Sequence, residues 1–130
     1  MKKKLFKLIS SVLVVTCMLC CFAQPVCAVE PRWSNVNNIL LTITTNASTL
    51  VIKAQVLGET NTTYSNGTVT LTRNGVTVGN WTGLSGNSPY FTFTNQTVPR
   101  QSGTYVLTIK ITASRNGVSE VVSSSKTVTY

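Results

Sequence analysis

The strongest constraint on this chain is a two-residue alternation of apolar and polar side chains. It is clearest in Thr49–Leu57, where every second residue from Leu50 to Val56 is apolar and lies on one face. Lys53 and Gln55 lie on the other face of the same segment. A period of two is that of a β-strand with one buried face, and the many β-branched residues after position 28 disfavour helices. The sequence therefore predicts an all-β fold.

Turn-forming residues divide the alternating region into seven predicted strands. These are Asn38–Thr45, Thr49–Leu57, Thr68–Arg73, Val76–Trp81, Tyr90–Thr97, Gly103–Ala113 and Val118–Thr129. Polar segments at 58–67 and 83–89 are predicted loops. Seven short strands in about 100 residues are typical of an antiparallel sandwich of two sheets, and a closed barrel is the alternative.

The first 28 residues have the plan of a secretory signal peptide. Four lysines precede or border an apolar run of 16 residues, Leu8–Ala23, and Val26 and Ala28 stand at positions −3 and −1 of a cleavage site after Ala28. The run is shorter than the roughly 20 residues that a membrane-spanning helix needs. We therefore expect cleavage, secretion and no membrane insertion of the mature protein.

The cysteines support the same division of the chain. All four lie within the leader, so the mature domain is predicted to fold without a disulfide. The expected organisation is a cleaved signal peptide at 1–28, a flexible N-terminal segment at 29–37 and one folded domain at 38–130.

The mature region lacks the residues on which much enzyme chemistry depends. It has no His, Cys or Asp, and its only acids are Glu30, Glu59 and Glu120. Ser–His–Asp and Cys–His catalysis and zinc sites built from His and Cys are therefore excluded. Seven basic residues minus three acids leave a charge of +4 that is scattered along the chain, unlike the clustered basic face of nucleic-acid-binding proteins. We predict a protein that is not an enzyme, needs no metal or cofactor and binds no nucleic acid.

Three aromatic residues are the candidate ligand contacts. Trp33, Trp81 and Tyr90 stand among polar neighbours, and exposed Trp and Tyr often anchor protein or sugar ligands. The alternative is structural: Trp81 would cover the sandwich core and Trp33 a sheet edge.

One local motif resembles a corner found in immunoglobulin-like domains. In "QSGTYVLTI", residues 101–109, Tyr105 takes the place of the corner tyrosine and Leu107 that of the second disulfide cysteine. Gln101 stands where such corners often carry aspartate, and neither cysteine of the usual pair is present. The resemblance implies an Ig-like or fibronectin-III-like sandwich that lacks the disulfide.

The whole mature chain also resembles small secreted single-domain Ig-like proteins of Gram-positive anaerobic bacteria. The start Pro31-Arg32-Trp33 and the final Tyr130 carry this resemblance. The group has no established function, so the resemblance assigns no site residues.

Two copies of Arg-Asn-Gly-Val predict two β-hairpins. Asn-Gly favours a two-residue type I′ turn, because both central residues need positive φ. The first turn, Asn74-Gly75, is predicted to pair Arg73 with Val76 and Leu71 with Val78. Val69, Leu71, Val76 and Val78 would then share a face, with Trp81 on the other face unless a bulge intervenes.

The second turn, Asn116-Gly117, predicts a register that is less favourable, because it places a charged residue on the core face. Simple pairing would place Glu120 opposite Ala113, at the end of the core face. We therefore expect a longer loop or a bulge near Ser119 to move this carboxylate outward.

Taken together, these features favour a secreted, non-catalytic binding or adhesion module. Its ligand would be a glycan or a protein at the cell surface or in the surroundings. Two alternatives stay open: a cationic defence protein acting on competing cells, and a structural subunit that assembles by pairing of edge strands. A monomer is expected rather than an oligomer.

Overall fold

The computed structural model describes residues 32–130, and every regular element in this range is a β-strand. The seven strands are β1 (Val36–Asn46), β2 (Thr49–Gly58), β3 (Thr63–Arg73), β4 (Val76–Gly86), β5 (Tyr90–Asn95), β6 (Thr104–Arg115) and β7 (Val118–Thr129). The predicted signal peptide, 1–28, and the first part of the predicted flexible segment lie outside the described residues.

The strands form two antiparallel sheets. Sheet A has the order β1-β2-β5, and sheet B has the order β4-β3-β6-β7. This arrangement confirms the all-β fold with seven antiparallel strands in two sheets. The alternative of a single closed barrel is wrong, because the strands belong to separate sheets.

Several strand boundaries differ from the prediction. β1 begins at Val36, which is 3% exposed, inside the segment predicted to be flexible. β3 begins at Thr63 and β4 continues to Gly86, so both strands include residues that were predicted to be loop. In β3 the pairing with β6 shifts between Ser65 and Thr68. This irregularity interrupts the alternation of apolar and polar residues. The first part of β3 therefore does not show the period of two that predicts a strand.

Side chains from both sheets fill one continuous core. Sheet A contributes the inward residues of β2, and sheet B contributes those of β3 and β6. Trp33, Trp81 and Phe93 are partly buried and pack against the margin of this core. The largest fully buried side chains are Tyr105, Leu50, Ile52, Leu71, Leu107, Ile109, Ile111, Val56, Val69, Val122 and Thr62.

One end of the molecule, here called the amino-terminal end, gathers the residues that precede β1 and three connections. The Glu59 N–H donates to the carbonyl of Asn35 (3.0 Å), and the Gly58 N–H donates to that of Pro89 (2.8 Å). The Arg115 Nε donates to the carbonyl of Thr60 (3.1 Å). This end comprises residues 32–35, 59–62, 87–89 and 116–117.

The other end, called the distal end, gathers the remaining three connections. The Arg100 N–H donates to the carbonyl of Ser48 (2.9 Å), and the Asn74 N–H donates to that of Thr104 (2.8 Å). This end comprises residues 47–48, 74–75 and 96–103.

The first hairpin contains a bulge, and the predicted register beyond Thr72 is wrong. Arg73 pairs with Val76 as predicted, but Leu71 pairs with Gly79 instead of Val78. Val78 is therefore an extra residue in β4 and is 40% exposed. The shift brings Trp81 opposite the buried Val69, so its side chain turns toward the core.

The second hairpin has the simple register, so the bulge expected near Ser119 is wrong. Arg115 pairs with Val118, and Ala113 pairs with Glu120. The Glu120 carboxylate accepts hydrogen bonds from the main-chain N–H groups of Ser34 and Asn35. A charged group lies at the end of the core face because the segment before β1 supplies donors to it.

Candidate ligand-binding surface

The three candidate aromatic residues do not meet in one site. Trp81 on β4 is half-buried, and its ring centroid lies 5.2 Å from that of Phe93 at a 49° tilt. Trp33 is also half-buried and precedes β1, an edge strand of sheet A. Tyr90 begins β5, the opposite edge strand of that sheet, and is 67% exposed. Of the three, Tyr90 has by far the most surface available to a ligand.

Strand register shows what surrounds Tyr90. Buried Phe91 follows it, so Tyr90 lies on the outer face of sheet A, directly opposite Leu57. In the next row Thr92 lies opposite Gln55, which in turn lies opposite Leu40 on β1. We call this surface the Tyr90 face. Its members are Leu40, Lys53, Gln55, Leu57, Tyr90, Thr92 and Thr94.

The Tyr90 face combines an apolar patch with hydrogen-bonding groups. Tyr90, Leu57 and the 46% exposed Leu40 provide the apolar part, and Gln55 and Thr92 provide an amide and a hydroxyl. Rows on one strand face are about 6.8 Å apart, twice the rise per residue. This surface can therefore hold an extended ligand by stacking and hydrogen bonding, and it has no nucleophile paired with a base.

A small cleft lies at the distal end. It has a volume of about 80 Å³, and its walls are Arg73, Val78, Val98, Pro99, Gln101 and Tyr105. On this measure a water molecule needs roughly 10–15 Å³, so the cleft has room for a few water molecules or a small group. The bulge in β4 contributes to this cleft, because it releases Val78 from the sheet register.

Tyr105 beside this cleft holds the loop between β5 and β6. Its ring is 1% exposed. Its hydroxyl donates to the carbonyl of Gln101 (3.0 Å) and accepts from the N–H of the same residue (3.1 Å). The side chain therefore fixes the loop through both main-chain groups of one residue.

At the amino-terminal end, Asn35 links the two sheets. Its Nδ2 donates to the carbonyls of Ala113 (3.1 Å) and Val118 (3.0 Å). Its own carbonyl accepts from the hydroxyl of the fully buried Thr62 (3.1 Å). We call these contacts, with those of Glu120, the Asn35 clamp. Sequence reasoning missed Asn35 because a single asparagine before a strand carries no signal of burial.

Charge is unevenly distributed over the described residues. Both described acids, Glu59 and Glu120, lie at the amino-terminal end, where Arg32 and Arg115 also lie. The other five basic residues lie on the sheets or at the distal end. They are Lys53, Arg73, Arg100, Lys110 and Lys126.

The separation of charge can be measured along β6. Tyr105 pairs with Arg73, and Ala113 pairs with Glu120. The two pairing positions are eight residue steps apart on β6, which corresponds to about 27 Å at 3.4 Å per residue. Arg73 at the cleft is therefore far from the side chains of both described glutamates.

Within the described range, no three His, Cys, Asp or Glu residues come close enough to hold a metal ion. The same range contains no helix long and apolar enough to span a membrane.

No protein-family model matches this chain, and no curated protein resembles it significantly.

Proposed function

We propose that this protein is a secreted, non-catalytic binding module whose ligand, a glycan, lies on the Tyr90 face. The observation that carries the proposal is the exposure of Tyr90. A tyrosine ring that is 67% exposed lies directly opposite Leu57 on the open face of a sheet. A tyrosine presents a large apolar body and a polar tip, and this combination favours a ligand that is partly apolar and partly wet.

The neighbours of Tyr90 favour a sugar over a purely apolar partner. The C–H face of a pyranose stacks on an aromatic ring, while its hydroxyl groups need donors and acceptors nearby. Gln55 and Thr92 lie in the next row of the same face and supply both. The ordered strands also reduce the entropy that binding would cost, because the contact groups are already in place.

The strand order and the Tyr105 corner support the finer fold assignment to an Ig-like or fibronectin-III-like sandwich. A sandwich of three and four antiparallel strands, with a tyrosine hydroxyl bonded to the backbone four residues upstream, has the features of such domains. The lysine-rich start and apolar run of the leader support secretion. In this proposal the domain lies outside the cell, and its Tyr90 face is exposed to solvent.

The test is a glycan array probed with residues 29–130, followed by titration of any positive glycan against matched variants. Tyr90→Ala should weaken binding at least about tenfold, or roughly 1.4 kcal/mol, whereas Tyr90→Phe should retain most of it because the ring remains. Val121→Ala is the control, since Val121 is 58% exposed and belongs to sheet B.

Melting temperatures of all three variants must match the wild type for the comparison to count. Binding by Tyr90→Ala at wild-type strength would refute the proposed site. An array without any positive glycan, together with capture of a protein ligand that requires Tyr90, would reassign the ligand to the protein class.

A further inference from the structure

We propose that Asn116 is a site of spontaneous deamidation in the folded protein, whereas Asn74, in the same Arg-Asn-Gly-Val sequence, is protected by the fold. The chain has three Asn-Gly pairs, at 66–67, 74–75 and 116–117. Their local sequences give all three the same basic reactivity, so any difference among them must come from the structure.

The reaction needs only the chain and water. The main-chain nitrogen of Gly117 attacks Cγ of Asn116, and the new C–N bond closes a five-membered succinimide. The nitrogen gives up its proton to solvent, and the side-chain amide takes up a proton and leaves as ammonia. Water then opens the ring at either carbonyl to give aspartate or isoaspartate. Glycine favours the attack because it has no Cβ to hinder the approach.

The backbones of the two hairpin turns are nearly identical. Asn74 and Gly75 have φ values of 49° and 81°, and Asn116 and Gly117 have 50° and 78°. All four residues are exposed. Neither backbone conformation nor exposure therefore distinguishes the two turns.

The side chains of the two asparagines differ. The Asn74 Oδ1 accepts from the Thr104 N–H at 2.8 Å, and the Asn74 N–H donates to the Thr104 carbonyl, also at 2.8 Å. Both the side chain and the main chain of Asn74 are therefore hydrogen-bonded to one residue of β6. The Asn116 side chain makes no hydrogen bond to any residue of the described chain, so its Cγ is free to rotate toward the following nitrogen.

The third pair is restrained by burial. Gly67 lies against Ile111 and Leu84, and a Cβ at Gly67 would come within 2.9 Å of atoms of both. The peptide nitrogen of Gly67 therefore has little freedom to swing toward the Asn66 side chain. By contrast, no atom beyond the two adjoining residues lies within 4 Å of the Cβ position at Gly117.

Deamidation at Asn116 would affect the amino-terminal end. It adds a negative charge, and the isoaspartate product also adds one methylene to the backbone of a two-residue turn. The next residue, Val118, accepts a hydrogen bond from Asn35 through its carbonyl. The modification therefore loosens the Asn35 clamp and exposes the segment before β1.

The test is peptide mapping by mass spectrometry of residues 29–130 aged at mildly alkaline pH and physiological temperature. Conversion of an amide to a carboxyl is followed at each asparagine over time. We expect Asn116 to react about tenfold faster than Asn74, which corresponds to about 1.4 kcal/mol, because the Oδ1 of Asn74 must first leave the Thr104 N–H. A parallel sample in urea is the control, because unfolding removes the protection of Asn74.

The two rates should converge in urea. Equal rates at the two sites in the folded protein would overturn the proposal, and so would a preference for Asn116 that persists unchanged in urea. An unreactive Asn116 in the folded protein, under conditions where the urea sample reacts, would overturn it as well. The variant Asn116→Gln should remove the fast phase and leave the slow phases unchanged.

Discussion

Removal of single tyrosine hydroxyls gives the sharpest test of the fold as described. Tyr105→Phe keeps the buried ring and deletes only the hydroxyl, which donates to and accepts from the main chain of Gln101. A net hydrogen bond contributes about 0.5–1.5 kcal/mol, so two give about 1–3 kcal/mol. We expect the lower half of this range, because Gln101 is exposed and water can replace part of the lost contact.

Two other tyrosines, Tyr130 and Tyr90, provide matched comparisons. The Tyr130 hydroxyl makes one hydrogen bond, to the carbonyl of Ile43 at 3.0 Å. The Tyr90 hydroxyl makes none to the described residues. The free energy of unfolding should therefore fall most in Tyr105→Phe, by about half as much in Tyr130→Phe, and by less than about 0.5 kcal/mol in Tyr90→Phe.

The assay is urea unfolding of residues 29–130, followed by tryptophan fluorescence. The dependence on urea should keep its slope in all three variants, since each buries nearly the same surface as the wild type. Thermal melts should agree, with about 4–8 °C lost per kcal/mol for a domain of this size. If Tyr105→Phe were no less stable than Tyr90→Phe, the role given to the Tyr105 corner would be refuted.

Three further predictions concern the amino-terminal half of the molecule. Burial raises the pKa of Tyr64 to about 12 from its usual 10, so the folded state holds this proton more tightly. Tyr64 thus adds stability below pH 10 that is lost as the pH rises toward 12. Alkaline unfolding of the wild type and Tyr64→Phe should therefore differ in slope across that window and nowhere else. Gly58→Ala should destabilise by about 1–3 kcal/mol, because the new methyl group would collide with the Tyr64 hydroxyl; wild-type stability in urea would contradict this. Glu120→Ala should expose the amides of Ser34 and Asn35 to hydrogen exchange and cost about 1–3 kcal/mol; unchanged protection of both amides would show that the carboxylate does not hold the segment.

The two hairpins show how far sequence reasoning reaches. Alternation and Asn-Gly pairs predicted all seven strands along the chain. Both signals are local, because each depends only on residues that are close in the sequence. The bulge in β4 depends on a contact that the sequence does not display. Gly79 leaves space for the indole of Trp81, and a Cβ there would collide with the ring. The bulge at Val78 therefore accompanies a close fit between Gly79 and one large side chain at the core margin.

At Glu120 the sequence predicted a bulge that the structure does not contain. Burial of a charged residue on a core face costs free energy unless the charge is paired or hydrogen-bonded. A bulge near Ser119 was expected for this reason. The partners of this carboxylate are main-chain N–H groups more than 80 residues away in the sequence. Main-chain donors look the same at every position, so no residue pattern could identify them in advance.

Only part of the candidate site could be predicted from the sequence. The placement of Phe91 and Phe93 on one face of β5 puts Tyr90 on the other, which follows from alternation alone. Its neighbours Leu57 and Leu40 belong to two other strands, and their positions follow from the register between strands. The patch therefore becomes visible only when the pairing of sheet A is known.

The uneven distribution of charge gives the two ends of the folded domain different electrostatic character. At the amino-terminal end the charges of Glu59 and Glu120 are balanced by those of Arg32 and Arg115, whereas Arg73 and Arg100 lie toward the distal end. At physiological ionic strength the field of a charged surface decays over about 8 Å, less than a third of the roughly 27 Å between the ends of β6 considered above. A negatively charged surface therefore attracts the distal end more strongly than the balanced amino-terminal end. The distal end then faces that surface, and Tyr90, which lies near the amino-terminal end, stays accessible from the surrounding medium.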